Sequence, residues 1–139
     1  MAHFAQINEN NEVIQVIRID NEDISDSNGV ESEAIGVAYC LKEFGSDTRW
    51  LQTSYNDNIR NKYAGIGDLY IENLDAFVSR KPHNSWILNQ ESLVWESPLG
   101  PYPDLTEEQK SNHLLYSWNE ELHQSDDTKG WELIPDPFF

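Results

Sequence analysis

The sequence predicts an α+β fold, mainly β: an antiparallel sheet and successive aromatic β-hairpins, with one amphipathic helix over about residues 31–44. Three observations carry this. First, a short pattern recurs along the chain, and internal repetition has to be read before single elements. In Ser85–Glu96 (SWILNQESLVWE), Trp86 and Leu88 alternate, Asn89 opens a polar turn, and Trp95 answers six residues after the Asn. Tyr116-Ser117-Trp118-Asn119 closes in the same way and is answered by Trp131 after a longer loop, Tyr70-Ile71 is answered by Phe77, and Ile7-Asn8 by Ile14. Second, 5 Trp, 6 Tyr and 5 Phe in 139 residues suit the pleated, half-buried surface of a sheet better than a helical bundle. Third, only one stretch has sustained helical spacing.

In chain order, Phe4–Ile7 and Val13–Ile19 flank Asn8-Glu9-Asn10-Asn11-Glu12 and read as a hairpin, because Asn tolerates positive φ and bonds nearby backbone. The aliphatics of Val13–Ile19 lie too densely for alternation, which predicts a strand buried on both faces at the centre of the sheet. Asp20–Gly29 is an acidic loop. The helix over 31–44 has Ser32 as N-cap, Glu31 and Glu33 near its positive end, Ile35, Ala38 and Tyr39 at helical spacing, and Gly45 as C-cap. Gly36 weakens it by about 1 kcal/mol relative to Ala. Cys40 falls within this stretch and reads as a small buried apolar side chain.

Arg49–Ser54 and Tyr63–Ile71 read as strands, the second loosened by Gly65 and Gly67. Those two glycines lack a third and a βαβ setting, so they do not make a phosphate loop. Tyr70–Val78, Trp86–Glu96 and Tyr116–Ile134 are aromatic hairpins. The Pro-rich connector Pro98–Pro103 is expected to run extended, and Leu105–His113 to form a short helix capped by Asp104 or Thr106. This divides the chain into an N-terminal α+β domain, 1–79, and an aromatic hairpin extension, 80–139, which holds the connector 98–103 and the C-terminal tail. In that tail, Pro135-Asp136-Pro137-Phe138-Phe139, two phenylalanines in water form an apolar patch that is expected to dock.

A formal charge of −16, from 25 acidic and 9 basic side chains, speaks against nucleic acid, whose phosphates need Lys and Arg, and against anionic membranes. Carboxylates scattered through turns also do not copy the regular phosphate spacing of DNA. The single Cys rules out an internal disulfide and a multi-cysteine zinc site. No signal peptide or membrane-length apolar run is expected. His3, His83, His113 and His123 are far apart and show no metal-ligand spacing, and neither paired carboxylates across a cleft nor a nucleophile elbow is recognisable. The expectation is therefore no enzyme activity, no cofactor and no metal. The informative set is the aromatic one, Tyr70, Phe77, Trp86, Trp95, Trp118 and Trp131 with Phe138 and Phe139, read as a docking or stacking surface. Cross-strand ring pairs that staple short hairpins would explain most of the same residues.

The run SYNDNIRNKYAGIG (54–67), followed by DAFVSRKP, SWILNQESLVWESP, YSWNEEL and GWELI, together with the opening AHFAQINENNEVIQVI, resembles a family of small proteins of marine tailed phages, especially cyanophages. The resemblance spans nearly the whole chain. The chain departs from the family pattern where a KPYP-like link becomes Lys81-Pro82-His83-Asn84, in the longer last hairpin loop, and in the Pro-Phe-Phe tail. Members are generally uncharacterised. The resemblance implies a virion accessory structural protein, decorating the capsid or associated with tail or fibre, made in the host cytoplasm. Its partners would be other virion proteins or a second copy of the chain. The alternatives are a carbohydrate- or receptor-binding module built on the Trp/Tyr ladder, and an acidic inhibitor of a host protein.

Overall fold

A computed structural model describes all 139 residues. The chain is mostly β, with antiparallel hairpins and one longer helix, and divides into two compact units, Met1–Arg80 and Lys81–Phe139.

In the first unit, β1 (Ala2–Ile7), β2 (Val13–Ile19) and β3 (Arg49–Thr53) form an antiparallel sheet in the order β2-β1-β3. The centre is thus β1, and β2, expected there, is an edge. The dense aliphatics of β2 report the layers above and below it rather than a second neighbouring strand. On one face Ile19 and Ile17 join Ala2, Phe4, Ile24, Cys40 and Trp50 beneath the helix α1 (Glu33–Phe44). On the other, Val13 and Val16 join Ala5, Ile7, Ala64, Tyr70 and Phe77. A register break after Ile7↔Val13 leaves Ile14 unpaired in the ladder and 44% exposed, as in a β-bulge. The residue answering Ile7 across the turn is therefore Val13, not Ile14.

Helix α1 starts two residues later than expected because Glu31 forms a β-bridge with Ser25. Ser32 makes no side-chain cap bond, whereas Gly45, at φ 115°, closes the C-terminus through its N–H to the Leu41 carbonyl. Cys40 is fully buried on the inner face of the helix, and burial pushes its thiol up to about 11.

Of the strand expected over Tyr63–Ile71, only β4 (Leu69–Ile71) forms. The glycine-bearing residues before it make a turn, in which Gly65 and Asp68 bond each other, that hooks onto Val13 through Asp68 O and Gly67 N. β4 pairs with β5 (Ala76–Val78) through Tyr70↔Phe77. Arg60 ties the layers together. Its guanidinium donates to Glu33, Asp75 and the Gln52 carbonyl at 2.5–3.1 Å. Burial opposes charge on Glu33, but bonds from Arg60 and the Gln52 amide overcome it and hold that carboxyl below its usual range.

The second unit contains the ladder β6 (Ile87–Leu88) with β7 (Trp95–Glu96), the short helix α2 (Glu107–Ser111), and the ladder β8 (Leu114–Trp118) with β9 (Trp131–Pro135). Thr106 caps α2 in a capping box with Gln109. The long loop of the last hairpin contains a helix, α3 (Glu120–Ser125), capped by Asn119. No helix of the chain is long and apolar enough to cross a membrane.

Candidate aromatic binding cleft

The recurring Asn has a common local geometry. Asn8 Oδ1 accepts from the N–H of Asn10 and Glu12 at 2.9 and 3.0 Å. Asn89 Oδ1 accepts from Glu91 and Ser92 at 2.9 and 3.0 Å, and Asn119 Oδ1 from Leu122 at 2.9 Å. In each case the side-chain amide also donates to a carboxylate on the returning arm: Glu12 at 3.3 Å, Glu96 at 3.1 Å and Glu132 at 3.2 Å. The backbone N–H of each Asn closes onto a facing carbonyl, of Glu12, Val94 or Gly130. One residue thus caps the turn and clamps its exit. The Tyr70–Phe77 hairpin has no such Asn, and its turn is closed instead by Asp75 in the left-handed conformation.

Two of these clamps, at Asn89 and Asn119, frame an aromatic cluster in the second unit. Trp118 faces Trp131 across β8–β9, with ring centroids 5.2 Å apart and nearly perpendicular planes. Trp86 packs edge-on against both at 5.9 Å. Its Nε1 is buried there with no hydrogen-bond partner. Such perpendicular packing suits the ring quadrupole, negative on the face and positive at the edge. Gly130 makes the approach feasible, since a Cβ there would lie 2.3 Å from the Trp118 ring. Beneath the rings, Glu120 accepts from Trp118 Nε1 at 2.9 Å, Ser85 Oγ at 2.6 Å and Gln124 Nε2 at 2.6 Å. Those bonds, from Ser85 first, hold its carboxyl down at about 2.

The Pro-rich connector does not run extended. Gly100, at φ 79°, turns back so that its N–H bonds Ser97 O at 3.1 Å, and its carbonyl accepts from the Ser97 hydroxyl and from Trp131 Nε1 at 3.1 Å. This turn carries Tyr102 to 5.7 Å from Trp131 and 6.4 Å from Tyr116. The result is an open cleft of about 440 Å³ walled by Trp86, Trp95, Tyr102 and Trp131, with Glu96 and the Ser97–Gly100 turn at its side. The ammonium of Lys81 sits 5.6 Å from the Trp95 ring centroid.

The eight residues singled out from sequence therefore separate. Trp86, Trp95 and Trp131 are half-buried and share the cleft. Trp118, at 7% exposure, supports it from inside and offers no face to a ligand. Tyr70 and Phe77 belong to the core of the first unit, where the Tyr70 hydroxyl donates to Asp75 at 2.6 Å. They are no part of a surface. Phe138 and Phe139 are 97% and 82% exposed, Phe139 lying over His113 at 3.3 Å. Tyr102, Glu96 and Lys81 lay outside the sequence reading. The proline-flanked Tyr102 was the available signal.

The cleft lining contains one carboxylate, Glu96, and two hydroxyls, the Tyr102 phenol and Ser97, whose proton is committed to Gly100 O. Its walls are ring faces, which can hold flat or cationic groups. No group of three or more His, Cys, Asp or Glu side chains is placed to hold a metal. A second hollow, of about 250 Å³ in the first unit, lies beside His3, Thr53 and Tyr55. Burial and then Arg18 hold the His3 pKa below its ordinary value. Comparison with protein-family models, with curated proteins and with solved structures returns no match.

Proposed function

We propose that this chain is a non-catalytic docking component of a tailed-phage particle, engaging another virion protein through the aromatic cleft of the Lys81–Phe139 unit. The observation that carries the reading is the cleft itself, with ring walls locked by one another and by Gly100 and still partly open to water. A surface already rigid loses little entropy on association, and Trp and Tyr are the side chains that most often anchor interfaces. The same unit exposes Ile87, Val94, Phe138 and Phe139, which adds apolar area of the kind that marks contact surfaces. The placement in a particle comes from the resemblance of the SYNDNIRNKYAGIG and SWILNQESLVWESP runs to marine phage proteins.

Mass spectrometry of purified particles tests the reading: the chain copurifies with capsid or tail, and Tyr102→Ala or Trp131→Ala lowers its copy number. Absence from the particle ends it. A second reading, glycan binding, is favoured by the position of Glu96 and Ser97 beside ring faces, since sugars need both stacking and polar contacts. It predicts glycan-array binding that Trp86→Ala abolishes with the fold intact.

A further inference from the structure

The charge around the cleft is lopsided. Of the chain's 9 basic residues, only Lys81, Lys110 and Lys129 lie in the second unit, and none of them is an arginine. Lys110 is paired with Glu107 and Lys129 with Asp126. Lys81 stands over Trp95, within the roughly 6 Å at which a ring face attracts a cation. One wall of the cleft thus already holds a cation supplied by the chain itself. Of the remaining walls, Trp86 meets the His83 ring at 5.5 Å, while Trp131 and Tyr102 meet each other and no lysine or arginine. Glu96 is held at the side by Asn89, and Glu120 stays ionised beneath Trp118. Tyr102, at 59% exposure, is the most accessible wall.

We propose that the cleft receives an arginine side chain of a basic partner protein, its guanidinium flat against the exposed Tyr102 ring, with Trp131 standing edge-on beside it, and its N–H edge toward Glu96. Arginine fits better than lysine because its cation is planar and weakly hydrated. It can stack on a ring and bond a carboxylate in the same plane, whereas an ammonium stays strongly hydrated. A basic partner also matches a chain of formal charge −16, whose field speeds encounter with cations. The inference rests on the docking reading and adds the chemistry of what docks.

The test titrates the intact chain, followed by heteronuclear NMR and tryptophan emission, with acetyl-Gly-Arg-Gly-amide. The same peptide carrying lysine or citrulline and the neutral sugar maltotriose serve as controls. The arginine peptide binds about tenfold more tightly than the citrulline isostere, shifts the Trp86 and Trp131 indole resonances, and weakens on adding salt. Glu96→Gln and Tyr102→Ala, both on exposed side chains, each reduce its affinity several-fold while resonances far from the cleft keep their positions. Equal binding of arginine and citrulline, or tighter binding of maltotriose, overturns the inference. If arginine and citrulline bind equally and both need Tyr102, the cleft still docks peptides and only the cation preference fails. If no peptide binds and particle incorporation ignores Tyr102→Ala, the docking reading fails with it.

Discussion

Gly36 lies at the end of the first turn of α1, where an alanine would ordinarily gain up to about 1 kcal/mol of helix propensity. A Cβ at this position, however, would lie 2.1 Å from the tip of the Phe4 ring, and Phe4 has no exposed surface into which to retreat. Gly36→Ala therefore lowers stability, by about 1–3 kcal/mol as for other overpacked cores. Urea denaturation checks this, and a higher midpoint would refute the packing. Glu120 sets a second test at the same scale. Its carboxyl is held at about 2 against an ordinary 4.5, so its bonds to Ser85, Trp118 and Gln124 stabilise the fold fully above pH 4.5. That contribution is lost as pH falls toward 2. Acid titration of the aromatic near-UV signal shows it, and Glu120→Gln flattens the acid limb.

Among the elements, the hairpins were legible because alternation and a turn-forming Asn are local signals. The double role of Asn119 can be separated by substitution. Asn119→Ala removes both the α3 cap and the clamp on Glu132, costing about 1–2 kcal/mol. Asn119→Asp keeps the cap but sets a carboxylate against Glu132, so it costs less and recovers with added salt. If both variants cost the same at all ionic strengths, the clamp contributes nothing. What was not legible depended on distance along the chain. The edge position of β2 is decided by β3, more than thirty residues later, and no pattern within β2 can report it. Helix α3 is 6 residues long, too short for periodicity to show, although Asn119 followed by Glu120 and Glu121 is a start signal. Tyr70 and Phe77 share the hairpin spacing of the tryptophans, but spacing does not tell which face a second layer will cover. The cleft depended on Gly100 turning a proline-rich segment back onto Trp131, a contact across 31 positions.

At the scale of the molecule, 25 acidic side chains face 9 basic ones, and most of the acids lie on the surface. Self-repulsion of this size opposes compaction, so the chain gains stability as salt is raised from about 10 to 200 mM, where the Debye length falls below ~10 Å. The expected outcome is a rise of several degrees in melting temperature, and a flat response would mean that the charges are already balanced locally. The local ion pairs are few: Arg60 with Glu33 and Asp75, Lys62 with Asp68, and the two exposed lysine pairs of the second unit. In Met1–Arg80 the apolar interior mixes aliphatic side chains with Phe4, Trp50, Tyr70 and Phe77, whereas in Lys81–Phe139 it is chiefly ring on ring.

The single thiol, on the buried face of α1, makes the opening of the first unit measurable. Cys40 is sealed and resists ionising, so an alkylating reagent can reach it only when Met1–Arg80 opens. Labelling kinetics in native buffer then clock the opening of Met1–Arg80. Gly36→Ala, which crowds Phe4 in the same layer, should quicken that clock.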